Sequence, residues 1–184
     1  MKKIDLLLLS LLSMVAFAGC GKNEQPSVEP PPPPPIEIKL SKWLVSITSG
    51  YPFDKSIWIV GGNGGYRIVL PKKIELTTLT DWGRHVERAN VDYSDEILAL
   101  QINSNNVIVI ELKLVSTLVS EPYWPDGSPL YFLEPYYSIE GYFMIVDSKG
   151  QKRIFMTGQV PAGGYFDIDE IEGRLLNDPN YWQE

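Results

Sequence analysis

After residue 35, apolar and polar residues alternate or cluster in short runs, a pattern that predicts β-strands. Ile36, Ile38 and Leu40, for example, alternate with charged residues. Further runs of this kind cover residues 43–48, 56–60, 66–70, 89–93, 97–102, 107–114, 139–146 and 153–157. The pattern therefore predicts an all-β fold of about seven to eight short strands, either a sandwich or a barrel.

Polar turn sequences separate several of these runs. Residues 61–65 are Gly-Gly-Asn-Gly-Gly, which is strong turn chemistry. Residues 103–106 and 147–150 are short and polar and lie between β-rich runs. Each of these two segments therefore predicts a hairpin.

Three stretches depart from the strand pattern. Residues 79–88 predict a loop or a short helix. Residues 116–137 contain several prolines and many aromatic residues, so we expect a long ordered loop inserted into the β-domain. Residues 167–177 carry Ile168, Ile171 and Leu175 at helical spacing, which predicts a short C-terminal helical segment.

The N-terminus has the parts of a secretory signal, namely Lys2 and Lys3, an apolar stretch and small residues before Cys20. The apolar stretch from Leu6 to Gly19 is short for a membrane span, which needs roughly 20 residues. We therefore expect residues 1–19 to be an export signal that is removed.

The segment Phe17-Ala18-Gly19-Cys20 resembles the lipobox of bacterial lipoproteins. The resemblance implies that Cys20 is diacylated, becomes the new N-terminus and anchors the chain to a membrane. Lipoproteins retained in the inner membrane often carry Asp after the cysteine. Gly21 occupies that position here, and the absence of Asp favours the outer membrane if the host has one. Residues 22–25 loosely resemble the surface-export tethers of Bacteroidetes lipoproteins. An ordinary signal peptide followed by a chance cysteine is the alternative.

Residues 20–35 predict a tether, since Pro30 to Pro35 is an unbroken proline run. Such a run adopts polyproline II and acts as a semi-rigid spacer. A proline-motif ligand for a partner domain is the alternative. The folded domain is then predicted over residues 36–184, a length typical of one domain.

Composition narrows the function classes. The formal net charge of −7 disfavours nucleic acid as a partner, because an acidic chain repels phosphate backbones. The single cysteine, Cys20, excludes an intramolecular disulfide. With a single histidine, His85, a zinc site of the common type cannot be assembled. We predict neither a metal site nor a cofactor.

The turn at residues 61–65 and the strands beside it resemble the "GGxGxY" turn of bacterial Ig-like domains. Residues 89–91 and 97–110 resemble the paired middle strands of such domains, and residues 143–152 resemble their closing hairpin. The resemblance implies an Ig-like β-sandwich in which residues 116–137 are an insertion. It implies a spacer, an adhesion module or an accessory to glycan capture, and no catalytic residues.

Candidate chemistry is sparse. His85 has no nucleophile motif near it and is interpreted as a surface residue. A glycosidase needs two facing carboxylates, and Glu121, Asp126, Glu134 and Glu140 lie in or beside the insertion. Residues 167–173 contain alternating acidic residues and a glycine, as calcium-binding loops do, but they lack the third alternating ligand of such a loop. A helix start is the alternative there.

Adjacent aromatic pairs are the most suggestive feature. Neighbouring residues of a strand point to opposite faces, so one ring of each pair could be core and the other exposed. Exposed rings form platforms on which sugars stack, and Trp124, Tyr131, Tyr136 and Tyr137 are the candidate ligand-binding residues. The alternative is a small second core.

The leading hypothesis is a non-enzymatic surface lipoprotein whose β-domain serves binding or adhesion to another cell-surface protein. A glycan-binding accessory of a polysaccharide-uptake system is the second hypothesis. A carboxylate-based hydrolase is the third.

Overall fold

A computed structural model describes residues 34–49, 53–80, 84–122, 126, 129–159 and 167–183, without the side chains of 119–122 and 129–133. The residues from Pro35 to Glu184 form a compact unit. The described residues form twelve strands and one helix. These are β1 Ile38–Leu40, β2 Leu44–Val45, β3 Ser56–Gly61, β4 Arg67–Val69, β5 Lys73–Thr80, β6 His85–Asp92, β7 Leu98–Ile102, β8 Val107–Leu112, β9 Thr117–Pro122, β10 Pro129–Glu134, β11 Tyr136–Val146, β12 Lys152–Thr157 and α1 Ile168–Leu175.

The strands form two large sheets and one small one. The four-stranded sheet has the order β1-β3-β8-β7, and the six-stranded sheet has the order β2-β12-β11-β5-β6 with β4 also paired to β11. Strands β9 and β10 form a separate two-stranded sheet. The all-β fold class is thereby confirmed, and its two multi-strand sheets are consistent with a sandwich.

The main hydrophobic core takes buried residues from both large sheets. Ile57 and Ile108 belong to the four-stranded sheet, and Phe143 and Phe155 belong to the six-stranded sheet. The rings of Phe143 and Phe155 stack with centroids 5.2 Å apart, and Tyr93 meets Phe143 edge-on at 6.0 Å. Because each of these side chains is apolar and faces inward, the two sheets are held together by the hydrophobic effect.

The glycine-rich turn at residues 61–65 is bonded to the hairpin turn at residues 147–150. The Asp147 carboxylate accepts hydrogen bonds from the backbone and side-chain amides of Asn63 at 2.9 and 2.7 Å. The backbone N–H of Ser148 donates to the Gly64 carbonyl at 2.8 Å. Two turns that the sequence predicted separately thus form one joint.

Asp147 is the centre of this joint. Its carboxylate also accepts the backbone N–H groups of Lys149 and Gln151, each at 2.9 Å. Burial acts to raise the pKa of Asp147, but the hydrogen bonds from Asn63, Gln151 and Lys149 outweigh it and hold the pKa below its usual value. The ionised form of Asp147 is therefore the one that the fold stabilises.

The C-terminal helix α1 is capped at its N-terminus by Asp167. The Asp167 carboxylate accepts the backbone N–H groups of Asp169 and Glu170 at 3.0 and 3.3 Å. On the other side of the helix, Leu175 and Trp182 pack in a second cluster on the outer face of the six-stranded sheet. The prediction of a short C-terminal helix is confirmed.

Two sequence predictions were wrong. Instead of the expected loop or short helix, residues 79–80 end β5 and residues 85–88 begin β6, while residues 81–83 lie outside the described residues. The reason is that β6 is exposed on both faces over most of its length, so it lacks the alternation that marks a half-buried strand.

The described part of residues 116–137 is likewise not a long loop. They include β9 and β10, which pair antiparallel from Thr117↔Glu134 to Pro122↔Pro129. Among the described residues, Pro122 ends β9, Pro129 begins β10 and Pro135 lies between β10 and β11, and a missing N–H is tolerated at strand ends. The expected seven to eight strands are accordingly too few, since the described residues contain twelve.

Candidate functional site

The four predicted aromatic residues lie in different places. Trp124 falls outside the described residues, and Tyr131 lies on β10 opposite Ser120 with its side chain undescribed. Tyr136 and Tyr137 are half-buried neighbours on β11. Because neighbours on a strand point to opposite faces, these two rings cannot share one platform. Whether any of the four binds a ligand stays a prediction.

The predicted signal and most of the predicted tether, including Cys20, lie outside the described residues. No helix among the described residues is long and apolar enough to cross a membrane.

The outer face of the six-stranded sheet brings Tyr136 and Glu140 onto the same side of β11. Across β5, Glu140 lies directly opposite Glu75, and Tyr136 lies opposite Leu79. Directly opposite residues in an antiparallel pair have Cβ atoms about 4.5–5.5 Å apart, so the two carboxylates face each other closely. This pairing was not foreseen, since Glu75 lies far from Glu140 in the chain.

The electrostatics of this pair follow from its position. Partial burial raises the pKa of Glu140, the negative charge of Glu75 raises it further, and the guanidinium of Arg88 partly offsets both. A glycosidase uses two carboxylates of which one has a raised pKa. Here, however, Glu75 and Glu140 are both partly exposed on a sheet face with Arg88 as counter-charge. We interpret the pair as part of the electrostatics of this face.

The other candidate chemical groups are spread over the fold. His85 is exposed at the start of β6. Glu134 ends β10, Asp126 is exposed, and the Glu121 side chain is not described. The carboxylate of Asp167 is occupied as the helix cap. Within the described part of the chain, no group of three His, Cys, Asp or Glu side chains could hold a metal ion.

The outer face of the four-stranded sheet carries apolar residues that sequence analysis did not single out. Trp58 and Val60 on β3 are 55% and 60% exposed, and Val109 on β8 is 40% exposed. Val107 lies directly opposite Trp58 and is buried although it points to the same face. We call Trp58, Val60 and Val109 the β3–β8 platform.

The platform is flanked by polar groups on the same face. Lys39 lies opposite Val60, Ser56 lies opposite Val109, and Gln101 lies opposite Val109 on its other side. An antiparallel sheet with one solvated face normally presents polar residues there. An apolar strip with a polar rim is instead the composition of a binding surface.

A cleft of about 350 Å³ lies between β1, the start of β12 and α1, with Trp43 at its side. Its charged groups bind one another. Arg153 donates to Glu172 and to Glu37, both at 2.6 Å, and the second oxygen of Glu172 accepts the backbone N–H of Ile154 at 2.9 Å. These bonds hold α1 against the start of β12. We therefore interpret the charged residues of the cleft as structural contacts between the helix and the sheet.

Comparison with known proteins adds no relative. No family model, no curated protein and no solved structure matches this chain.

Proposed function

We propose that this chain is a non-enzymatic surface lipoprotein of the outer membrane, anchored through acylated Cys20, whose sandwich serves binding or adhesion. The Ig-like resemblance belongs to the same proposal. The observation that carries the binding role is the β3–β8 platform, because Trp58 and Val60 are more than half exposed on a sheet face. Exposed apolar patches with a polar rim mark interaction sites.

Trp58 is the residue on which we place the main share of binding. Indole offers a large and rigid apolar area at a small cost in side-chain entropy. Tryptophan is accordingly enriched among the few interface residues that carry most of the binding energy. The position of Trp58, beside the exposed Val60 and opposite the buried Val107, places it in the middle of the platform.

Glycan binding is the second candidate function, and Trp58 is the observation that favours it. The flat apolar face of a sugar ring can stack on an exposed indole. The amide of Gln101 and the ammonium of Lys39 lie on the same face and could bond to hydroxyl groups. In this proposal the glycan platform lies on the four-stranded sheet, whereas the sequence predicted it in the aromatic insertion at residues 116–137.

The test is binding of the full chain to a glycan array and to immobilised cell-surface proteins. We expect Trp58→Ala to weaken whichever binding is found by about 2 kcal/mol, or roughly thirtyfold, as for an aromatic hot spot. Val86→Ala is the matched control, because Val86 is 49% exposed on the other large sheet. Its binding should equal that of the wild type.

The outcomes separate the two functions. Binding to a glycan that Trp58→Ala abolishes supports glycan capture, and binding only to protein surfaces supports adhesion. Ligand binding that survives Trp58→Ala unchanged, with both variants folded by circular dichroism, rejects the β3–β8 platform as the site.

A further inference from the structure

Strand β6 ends the six-stranded sheet with an edge that no strand covers in the described part of the chain. It is eight residues long, pairs with β5 along its whole length and has no partner on its other side among those residues. Six of its eight residues are exposed. A long free edge is a template for pairing with another strand.

The hydrogen-bond pattern shows which backbone groups of β6 are free. The backbone N–H of Tyr93 donates to the carbonyl of Lys72 at 2.9 Å, and the register of the hairpin places these two residues opposite each other. Odd-numbered residues therefore direct their backbone groups toward β5, because the direction alternates along a strand. Arg88, Asn90 and Asp92 direct their N–H and C=O groups away from the sheet.

The opposite edge of β5 supports this phase. If the even-numbered residues of β5 form their backbone hydrogen bonds with β6, then the odd-numbered Glu75 and Thr77 form theirs with β11. The backbone groups of Ile139 must then point to the side of β11 that faces away from β5. The backbone N–H of Ile139 indeed donates to Ile47, on that far side.

The side chains at this edge complement a second copy of themselves. Two β6 strands that pair antiparallel about a two-fold axis at Asn90 place Arg88 opposite Asp92 of the second copy, and Asp92 opposite Arg88. On the other face, Ala89 lies opposite Val91 of the second copy. Registers centred on Arg88 or on Glu87 place like charges opposite each other, which destabilises a strand pair.

We propose that two copies of this chain associate through β6, in this register, to form one continuous sheet. The free N–H and C=O groups of Arg88, Asn90 and Asp92 then bond to those of the partner copy, and opposite charges meet on either side of the axis. The pairing sets the two Glu75–Glu140 faces side by side. The inference is independent of the ligand of the β3–β8 platform.

The first test is disulfide trapping of the full chain in a Cys20→Ala background in detergent, with copper phenanthroline as the oxidant. Hydrogen-bonded pairs have Cα atoms about 5.5 Å apart, which suits a disulfide, so Asn90→Cys should give a covalent dimer. Val86→Cys is the matched control on the same face and edge. In this register the two copies of residue 86 are eight positions apart, or about 27 Å, and should not link.

The second test is charge reversal followed by sedimentation velocity of the same protein in detergent over a concentration series. Arg88→Glu places two acidic side chains opposite each other at two symmetry-related positions, because residue 88 of each copy faces Asp92 of the other. It should therefore raise the dissociation constant of the dimer roughly tenfold or more. Adding Asp92→Arg to that variant should restore the wild-type dimer, since the opposite charges then face each other in reverse.

The proposal is wrong if the wild-type chain is monomeric at every concentration. It is also wrong if Val86→Cys forms a disulfide-linked dimer as readily as Asn90→Cys, or if Arg88→Glu leaves the dissociation constant of the dimer unchanged. Asn90 is exposed, so Asn90→Cys should retain the thermal transition of the wild type. Arg88 is also exposed but offsets the charge of Glu140, so Arg88→Glu should lower that transition, and the recovery of the dimer on adding Asp92→Arg is the result that tests the pairing itself.

Discussion

At the scale of single residues, Glu140 shows how the sheet places like charges together. It faces Glu75 on β5, is half-buried, and has its pKa raised by desolvation and by that neighbour. Its charged form is thus disfavoured in the fold compared with the unfolded chain. Stability from this group is complete below the ordinary value of 4.5 and is lost as the pH rises through the higher folded-state pKa.

We therefore expect Glu140→Gln to stabilise the protein at neutral pH, because like charges directly opposite each other destabilise a strand pair, and by about 0.2–1 kcal/mol, the usual magnitude of a cross-strand interaction. Near pH 4 the gain should be much smaller, because the carboxyl is then mostly protonated in both states. Urea unfolding at pH 4 and pH 7 measures this difference. Glu96→Gln, on an exposed turn, is the control for the loss of one carboxylate elsewhere on the surface. A larger gain at pH 4 than at pH 7 would contradict this account.

Trp58 shows a limit of sequence reasoning at the same scale. Its strand, Ser56–Gly61, was predicted correctly, but this strand carries apolar residues on both of its faces. Such a run is typical of a strand covered on both sides, and nothing local distinguishes the covered face from the open one. Only the placement of Ile57 and Ile59 in the core assigns Trp58 to the outside.

At the scale of elements, two glycines with open space around them differ in backbone conformation. A Cβ atom would meet nothing within 4 Å at Gly173, in α1, or at Gly64, in the glycine-rich turn. Gly64 has a φ of +71°, whereas Gly173 lies inside a regular helix. The left-handed region is costly for any residue with a Cβ.

Gly173→Ala should consequently raise the free energy of unfolding by about 0.5–1 kcal/mol, because glycine weakens a helix interior by that amount. Gly64→Ala should lower it by about 1–2 kcal/mol, since alanine is strained at positive φ. Thermal or urea unfolding of both single variants checks the signs. Equal effects of the two substitutions would show that the turn conformation is not the cause.

Hairpins around polar turns were predictable, and hairpins without a one-sided pattern were not. Val107–Leu112 and Leu98–Ile102 flank a polar turn and were found. Lys73–Thr80 was missed, and of His85–Asp92 only the part from residue 89 onward was predicted, because β6 is an exposed edge strand. The face that joins Glu75 to Glu140 could not be predicted for the same reason, since it depends on the pairing of β5 with β11.

At the scale of the whole molecule, the proposed function depends on where the sandwich is held. The domain from Pro35 onward builds its core from its own residues, starting at Ile38. We propose export, attachment and spacing as the roles of the short apolar N-terminal stretch, the single cysteine and the proline run.

The acyl chains decide whether this attachment is stable. Each buried methylene contributes about 0.8 kcal/mol, so a single chain binds a membrane reversibly and more than one gives stable anchoring. We expect radiolabelled palmitate to enter the wild-type protein and the protein to partition into the detergent phase of a cloud-point extraction. Cys20→Ala should lose the label completely, because Cys20 is the only cysteine. Lys22→Ala, two residues further along, is the matched control and should retain both label and partitioning. Label that persists in Cys20→Ala would place the acyl group elsewhere, and an unlabelled, soluble wild-type protein would identify residues 1–19 as an ordinary signal peptide.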